Sequence, residues 1–347
     1  MCAAVLAVGS LAACQWRSTC ATTCVEARPN EPSGRQRRVE TCPKTNTQAA
    51  NLQPTRIRRA KDGAEMVLVP DGTFQAGAIP QDETALDEEL PRKALEMRAF
   101  YLDATEVTNG QFSAFVRATA YRTQSEVEGY SRLYDWKRAN RIVLGAKWDT
   151  VDREMYSDGV WSDLPVVLVS GTDALAYARW AGARLPTEME FERALRGTHG
   201  ADSLYPWGDA SVPPIRFGNY YSVELGDLHP AVRESFGGRG TPLRSYVDGF
   251  AHRAPVRSYL PNESGVFDLS GNVTEIVSYD RSIGPSMREA LVDATHGLFM
   301  LRGGSFAEFE LHGLRNSSRN WLVDGHAREG FVGFRLARDG FSMNGAK

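Results

Sequence analysis

Two carboxylates in a glycine-containing segment are the residues whose chemistry stands out first. The stretch from Gly265 to Glu275 carries Asp268 and Glu275, with Gly271 between them. Gly271 permits a backbone turn in which a Cβ atom would collide. Hard cations such as calcium take several oxygen ligands, some from carboxylates and some from carbonyls. The segment therefore predicts a cation site, and the alternative is a turn whose side chains bond their own backbone.

A second set of candidate ligands lies near the C-terminus, where Glu308, Glu310 and His312 alternate. If this stretch is extended, all three side chains point to one side, because residues two apart share a face. Two carboxylates and one histidine could compose a triad of ligands for non-heme iron. They are therefore weak candidates for a catalytic iron site, and the alternative is an exposed polar strand edge.

The cysteines limit the chemistry of the main body. All five precede residue 43, at Cys2, Cys14, Cys20, Cys24 and Cys42. The remainder of the chain therefore has no disulfide, no thiolate metal site and no cysteine nucleophile. The sequence also lacks a P-loop, a G-x-S-x-G elbow and an H-E-x-x-H helix, and its six histidines show no metal-ligand spacing.

Composition places the chain among ordinary soluble globular proteins. The 347 residues are 42% hydrophobic and 24% charged. The formal net charge of −3 argues against a nucleic-acid partner. No run of 18 apolar residues occurs, so no transmembrane helix is expected.

The N-terminal segment resembles an export signal. Residues 1–14 are mostly small or apolar and end in Leu-Ala-Ala-Cys, the form of a bacterial lipobox that would lipidate Cys14. This predicts a lipid-anchored protein of the cell envelope. The first charge is Arg17, so the usual positive start is missing, and the alternative is a cysteine-containing tail on a cytoplasmic protein. Residues 15–62 are arginine-rich and aperiodic, which predicts a disordered basic linker.

The elements that must position these residues begin near Ala64. Short strands are predicted at residues 66–69, 100–103 and 165–169 from their apolar and β-branched composition. Helices are predicted after Thr108, Ser170 and Thr187, each of which can cap a helix start. The folded domain is predicted to span residues 64–338, followed by a tail over 339–347.

Several segments in order resemble the formylglycine-generating enzyme, or sulfatase-modifying factor, family. They cover most of residues 64–338, and the most specific are E-V-T-N at 106–109, R-L-P-T-E at 184–188, Y-P-W-G-D at 205–209, G-N at 271–272, R-G-G-S-F at 302–306 and G-F-R at 333–335. The resemblance implies an α+β fold: one irregular domain related to C-type lectins, with little regular secondary structure.

The resemblance also implies two calcium ions that brace the loops. The first would be held by the side chains of Asn219 and Asp248 and the carbonyls of Tyr220 and Phe250. The second would be held by the side chains of Asp268 and Glu275 and the carbonyls of Gly271 and Val273. All are oxygen donors, as calcium requires.

The resemblance fails where the family's copper chemistry resides. Active members hold copper(I) with two cysteines after the Gly-Gly-Ser-aromatic segment, and here Glu308 and Gly313 stand near those positions. Oxygen groups are poor ligands for copper(I), which prefers thiolates. Copper-dependent formylglycine formation is therefore not expected.

Three functions remain open. The first is a non-catalytic, calcium-braced binding or structural lipoprotein whose partner is a protein or glycan of the envelope. Its predicted contact face consists of Arg315, Asn316, Arg319, Asn320 and Trp321, because Arg and Trp are frequent interface anchors. The second is an oxidoreductase that uses iron or another metal. The third is a variable ligand-display protein built on the same fold.

Overall fold

The computed structural model describes residues 55–133, 141–197, 202–228, 242–279 and 297–340. The chain divides after Ala50, and all of the described residues belong to the unit Asn51–Lys347. The predicted lipobox with Cys14, the linker up to residue 54 and the tail from residue 341 lie outside them.

The strands in the described residues are short and form two four-stranded sheets and two hairpins. They are β1 Arg56–Arg58, β2 Glu65–Val69, β3 Gly72–Ala76, β4 Lys93–Met97, β5 Phe100–Asp103, β6 Tyr130–Leu133, β7 Arg141–Leu144, β8 Thr274–Ser278, β9 Leu298–Arg302, β10 Trp321–Asp324, β11 Val332–Gly333 and β12 Ala337–Asp339. The sheet orders are β1-β2-β5-β12 and β10-β9-β8-β11, and the hairpins are β3-β4 and β6-β7. Only the β8–β11 pair among these strands is parallel.

The helices are also short. They are α1 Asn109–Thr119, α2 Gln124–Glu128, α3 Asp158–Asp163, α4 Gly171–Ala181, α5 Glu188–Arg196 and α6 Val223–Leu228, with 3-10 turns at Asp87–Glu89, Arg153–Met155, Pro242–Ser245 and Leu311–Leu314. Among the described residues, no helix has the length and apolar character needed to cross a membrane.

The three predicted helix starts are confirmed. The side chains of Thr108, Ser170 and Thr187 each accept a hydrogen bond from the backbone N–H three residues on, at 3.3, 3.2 and 3.1 Å. Each bond satisfies one of the N–H groups that the first helical turn leaves free. Helix α4 ends at Gly182, whose φ of 73° suits glycine.

The main core packs α1 and α4 against the sheets. Phe112 of α1 stacks on Tyr177 of α4 with ring centroids 5.7 Å apart. Phe334 approaches the Tyr177 ring edge-on at 5.5 Å. Phe334 lies between β11 and β12, so this segment packs against both helices. The fold class is thus as predicted: a mixed α and β domain with small sheets and few helices.

One predicted strand is wrong. Residues 165–169 are buried, as expected, but form only an isolated bridge between Thr108 and Pro165. Leu168 adopts a left-handed φ of 58°, which interrupts an extended conformation. Its N–H instead donates to the carbonyl of Glu329 at 3.2 Å. The apolar composition of residues 165–169 therefore predicted their burial correctly, but it predicted the wrong backbone conformation.

The predicted start of the ordered domain is also too late. Strand β1 pairs with β2 from Arg56 onward. Arg59 is buried because its guanidinium pairs with Asp62 at 2.7 Å and Asp103 at 2.6 Å. Residues 56–62, which were predicted as the end of a linker over 15–62, therefore belong to the folded part of the chain. Arginine content suggested a solvated segment, but the partner Asp103 lies too far along the sequence to be recognised.

Candidate functional site

The predicted cation segment forms a tight turn that leads into β8. Gly271 has a φ of 87°, and a Cβ atom there would collide with the carbonyl oxygen of Asn219. Asp268 and Asn272 also have left-handed φ values, 57° and 58°. The Asn272 N–H donates to the Asn219 carbonyl at 2.8 Å, which holds this turn against the neighbouring loop.

The carboxylates of this turn are buried with too little positive charge. Arg335 donates to Glu275 at 2.6 and 2.7 Å, so Glu275 is paired. One oxygen of Asp268, Oδ1, is buried and has no hydrogen-bond partner. The same is true of Oε2 of Glu106, which lies 4.0 Å from the Arg335 guanidinium. The guanidinium of Arg335 therefore acts on three buried carboxyl groups, and the charge of Arg257 acts on Asp268 as well.

This shortage of positive charge is visible in the protonation behaviour. Burial raises the pKa of Asp268 to about 6. Burial, and then the charge of Asp268, raise the pKa of Glu106 well above its usual range, although Arg335 opposes the shift. Burial also raises the pKa of Glu275. A divalent cation would supply the missing positive charge and favour the ionised carboxylates.

The other predicted cation site assembles from two loops. Asp248 accepts hydrogen bonds from the N–H groups of Tyr220 at 3.1 Å and Phe250 at 3.0 Å. The Oδ1 atom of Asn219 and the Oε2 atom of Glu224 are buried there without hydrogen-bond partners. Burial, with a contribution from the charge of Glu224, raises the pKa of Asp248 to about 7. The structure therefore brings all four predicted residues together and adds Glu224.

These oxygen sets fit calcium better than a transition metal. In the described residues, no three His, Cys, Asp or Glu side chains converge closely enough to hold a metal ion by themselves. A cation at either turn would need carbonyl and amide oxygens to complete its shell, which is typical of calcium. The assignment of these oxygens to calcium stays a prediction.

Sequence reasoning missed three residues of these turns: Glu106, Glu224 and Arg335. Glu106 and Arg335 lie far along the chain from the turn they join, whereas Glu224 follows Asn219 by five residues. Glu106 belongs to the E-V-T-N segment, where its burial at 0% exposure was not foreseen. A signal was present for Arg335, because an arginine inside the apolar G-F-R-L run requires a buried acidic partner.

The extended arrangement expected for Glu308, Glu310 and His312 is not found. After Glu308 the chain turns into the 3-10 turn Leu311–Leu314, so the three side chains do not share a strand face. His312 is exposed, and its Nε2 lies 2.9 Å from the guanidinium of Arg315. A guanidinium in this position competes with a metal ion for the imidazole nitrogen. Burial raises the pKa of Glu308 to about 7, while Glu310 is exposed.

The predicted contact face is wrong for three of its five residues. Arg315, Asn316 and Arg319 are 2%, 1% and 4% exposed. Arg315 pairs with Asp82 and with Glu89, and Arg319 holds Glu188 through two bonds of 2.8 and 3.1 Å. Buried arginines need such carboxylate partners, and these lie more than 100 residues earlier in the chain.

The other two residues of the predicted face differ in exposure. Asn320 is half-buried, and its Nδ2 donates to the Gly313 carbonyl at 3.1 Å. Trp321 is 52% exposed and stands at the rim of a cleft, named here the Trp321 cleft. The cleft consists of two adjoining cavities of about 320 and 220 Å³ that share Ala327 and Arg328.

The larger cavity lies on one face of the β10-β9-β8-β11 sheet. Trp321 of β10 is paired with Leu301 of β9, which is paired with Ile276 of β8, so the three side chains share that face. Phe331 and Glu329 complete the wall. The smaller cavity is polar and is lined by Glu128, Tyr130, Arg132, Asp324 and His326. Such a concave site, mostly apolar with a few polar groups, is typical of ligand binding.

Comparison with known proteins agrees with this fold. The family model of the sulfatase-modifying factor enzyme 1-like domain matches residues 53–340. The chain is 33% identical over 319 residues to formylglycine-generating enzyme of Streptomyces coelicolor, which covers 86% of this chain and 96% of that protein. It is 34% identical over 227 residues to inactive C-alpha-formylglycine-generating enzyme 2 of Bos taurus, covering 60% of this chain and 69% of that protein.

A solved structure shows the same fold. PvdO from Pseudomonas aeruginosa superposes with a TM-score of 0.59 at 24% identity, covering 84% of this chain and all of that one. The fold and the family match therefore define the class as a sulfatase-modifying-factor-like domain. The chain belongs to the sulfatase-modifying factor enzyme 1-like family.

Proposed function

We propose that this protein is a non-catalytic binding domain of its family, braced by calcium and tethered to the bacterial cell envelope. The observation that carries the proposal is the absence of any cysteine after Cys42. Near the positions of the family's copper thiolates the chain has Glu308 and Gly313. A carboxylate does not replace a thiolate as a copper(I) ligand. The relative in Bos taurus that is named inactive shows that the family includes members without the activity.

Calcium has a structural part in this proposal. Asp268, Glu275 and the carbonyls of Gly271 and Val273 would hold one ion, while Asn219 and Asp248 would anchor the other. The unpartnered oxygens at both turns support this assignment, since buried polar atoms seldom lack partners in native proteins. A bound cation would fix the turns that lead into β8, in a domain with no cysteine available for a disulfide.

The central test is the metal content and oxygen chemistry of the purified full-length protein. We expect calcium, no stoichiometric copper or iron, and no formylglycine in a cysteine-containing sulfatase peptide. An active family member treated in parallel serves as the positive control. Stoichiometric copper or iron together with substrate-dependent oxygen uptake would overturn the proposal and establish the oxidoreductase alternative.

The anchor is tested separately. The motivating observation is the Leu-Ala-Ala-Cys sequence that ends at Cys14. Radiolabelled palmitate should enter the wild-type protein and the matched variant Cys20→Ser, but not Cys14→Ser. Label that persists in Cys14→Ser would refute lipidation at this residue.

A further inference from the structure

We propose that the Trp321 cleft binds an arylalkylamine, meaning an aromatic ring joined by a short alkyl chain to an ammonium group. Glu329 is the residue that receives the ammonium. The proposal rests on the binding function proposed above and names the class of ligand. The same chemistry occurs in free amines and at the N-terminus of a peptide that begins with an aromatic residue.

The larger cavity supplies the surface for the ring. Its volume of about 320 Å³ lies within the range of small-ligand sites. Trp321 and Phe331 meet edge to face with centroids 6.3 Å apart, which leaves the Trp321 ring half exposed beside the cavity. An aromatic ligand would cover that ring and remove apolar surface from water.

Glu329 supplies the polar contact. It lines the larger cavity, and its Oε2 atom is buried without a hydrogen-bond partner. A buried acceptor without a donor is costly, so a ligand N–H would be stabilising. The backbone carbonyl of Glu329 is fixed by the N–H of Leu168, which holds the residue at the cavity wall.

The guanidinium of the neighbouring Arg328 does not donate a hydrogen bond to Oε2 of Glu329, because its N–H groups bond to other acceptors. Arg328 donates from Nη2 to Glu128 at 2.6 Å and to the Tyr130 carbonyl at 2.9 Å, and from Nη1 to the His326 carbonyl at 2.9 Å. These bonds fix Arg328 as a wall shared by the two cavities. Arg132 also acts on Glu329 through its charge, but Oε2 of Glu329 receives a hydrogen bond from neither guanidinium and can accept one from a ligand.

The charges that surround the cleft favour a cation. Its charged side chains are the carboxylates Glu128, Asp324 and Glu329 and the guanidiniums Arg132 and Arg328. When Glu329 is ionised and His326 is neutral, acidic groups are in excess by one, so an ammonium is a better match than a carboxylate. The exposed face of Trp321 adds a favourable cation–π surface.

The test measures binding of three isosteric probes to the full chain by calorimetry: phenethylamine, 2-phenylethanol and phenylacetate. We expect the amine to bind most tightly and the acid least. Glu329→Gln should weaken phenethylamine by about tenfold to a hundredfold, the range for a hydrogen bond to a charged group. It should leave 2-phenylethanol nearly unchanged. Glu310→Gln, which alters an exposed carboxylate outside the cleft, is the matched control.

A second variant separates the ring contact from the charge contact. Trp321→Ala should weaken the amine and the alcohol in similar proportion, and an unchanged melting temperature shows that each variant is folded. A peptide beginning with Phe is then compared with its N-acetylated form to distinguish a peptide from a free amine. Equal binding of the three small probes, tighter binding of the acid, or an unaltered affinity in Glu329→Gln would overturn the proposal. Metal-dependent oxygen uptake would instead overturn the proposed function and leave the ligand class standing.

Discussion

Replacement of Arg315 by methionine should destabilise the domain strongly. This loss of stability does not depend on any bound ligand. Arg315 is 2% exposed and binds Glu89 through two bonds of 2.6 and 2.9 Å. It also donates to Asp82, which is itself buried. Burial works against ionisation of Asp82, yet the bond from Arg315 holds its pKa below the usual range. Methionine keeps much of the aliphatic stem and removes only the charged head.

The expected loss follows from the two carboxylates left behind. Removal of one partner from a buried ion pair costs about 3–5 kcal/mol, because the remaining charge stays in a poorly solvated place. Here two acidic groups lose the same guanidinium, so we expect the upper part of that range at neutral pH. The loss should shrink in acid, since protonation of Asp82 removes one of the uncompensated charges.

The free energy of unfolding from urea titration measures this loss. Arg117 is the matched control, because it is exposed on α1 and bonds only to Ser113 in the described residues. Arg117→Met should change the unfolding free energy by about 0.5 kcal/mol or less. Adding Asp82→Asn and Glu89→Gln to Arg315→Met should restore most of the stability. A loss under about 1 kcal/mol for Arg315→Met would refute a buried pairing and would indicate that Arg315 is exposed.

Three further outcomes follow from the same structure. Calcium at a hundredfold its dissociation constant should stabilise the domain by about 2.7 kcal/mol per independent site, and a chelator should reverse the shift in melting temperature. Magnesium added at equal concentration is the control, and no response to calcium would count against both cation turns. Gly271→Ala should destabilise the domain by about 1–3 kcal/mol or more, because a side chain is strained at its φ of 87° and collides with Asn219; unaltered urea denaturation would show that the turn is wrongly placed. Burial raises the pKa of Glu329 to about 7 against the opposing charges of Arg132 and Arg328. Glu329 is therefore ionised only above about pH 7, so the affinity for phenethylamine should fall as the pH drops from 8 to 6; a flat profile would contradict this role.

The features that the sequence predicted well are local ones. Thr108, Ser170 and Thr187 start helices through bonds that span three residues, so a short window contains both partners. The turn at Gly271 was visible for the same reason. The resemblance to the family predicted more than local patterns do. It placed Asn219 and Asp248 in one site, although no local pattern relates these two residues.

The features that were missed depend on distant partners. Arg315 was expected on a surface since arginine usually is exposed, but its partner Glu89 is 226 residues away. Leu168 was expected in a strand because its neighbours are apolar, and its left-handed backbone reflects a bond to Glu329. The Trp321 cleft combines three strands with a segment near residue 130. The hydrophobic periodicity of the sequence does not predict that these distant segments lie together.

One side chain joins the two cation turns. The Oδ1 atom of Asn272 accepts from Asn219 at 3.2 Å, and its Nδ2 atom donates to Glu106 at 3.0 Å. The loops that would bind one ion are thus connected through Asn272 to Glu106, whose carboxyl group interacts with Asp268 and Glu275, the carboxylates that would bind the other. Occupation of either turn should order Asn272 and lower the entropy cost of filling its neighbour, which amounts to positive cooperativity. Because such coupling is reciprocal, each ion should raise the affinity of the other turn by the same factor.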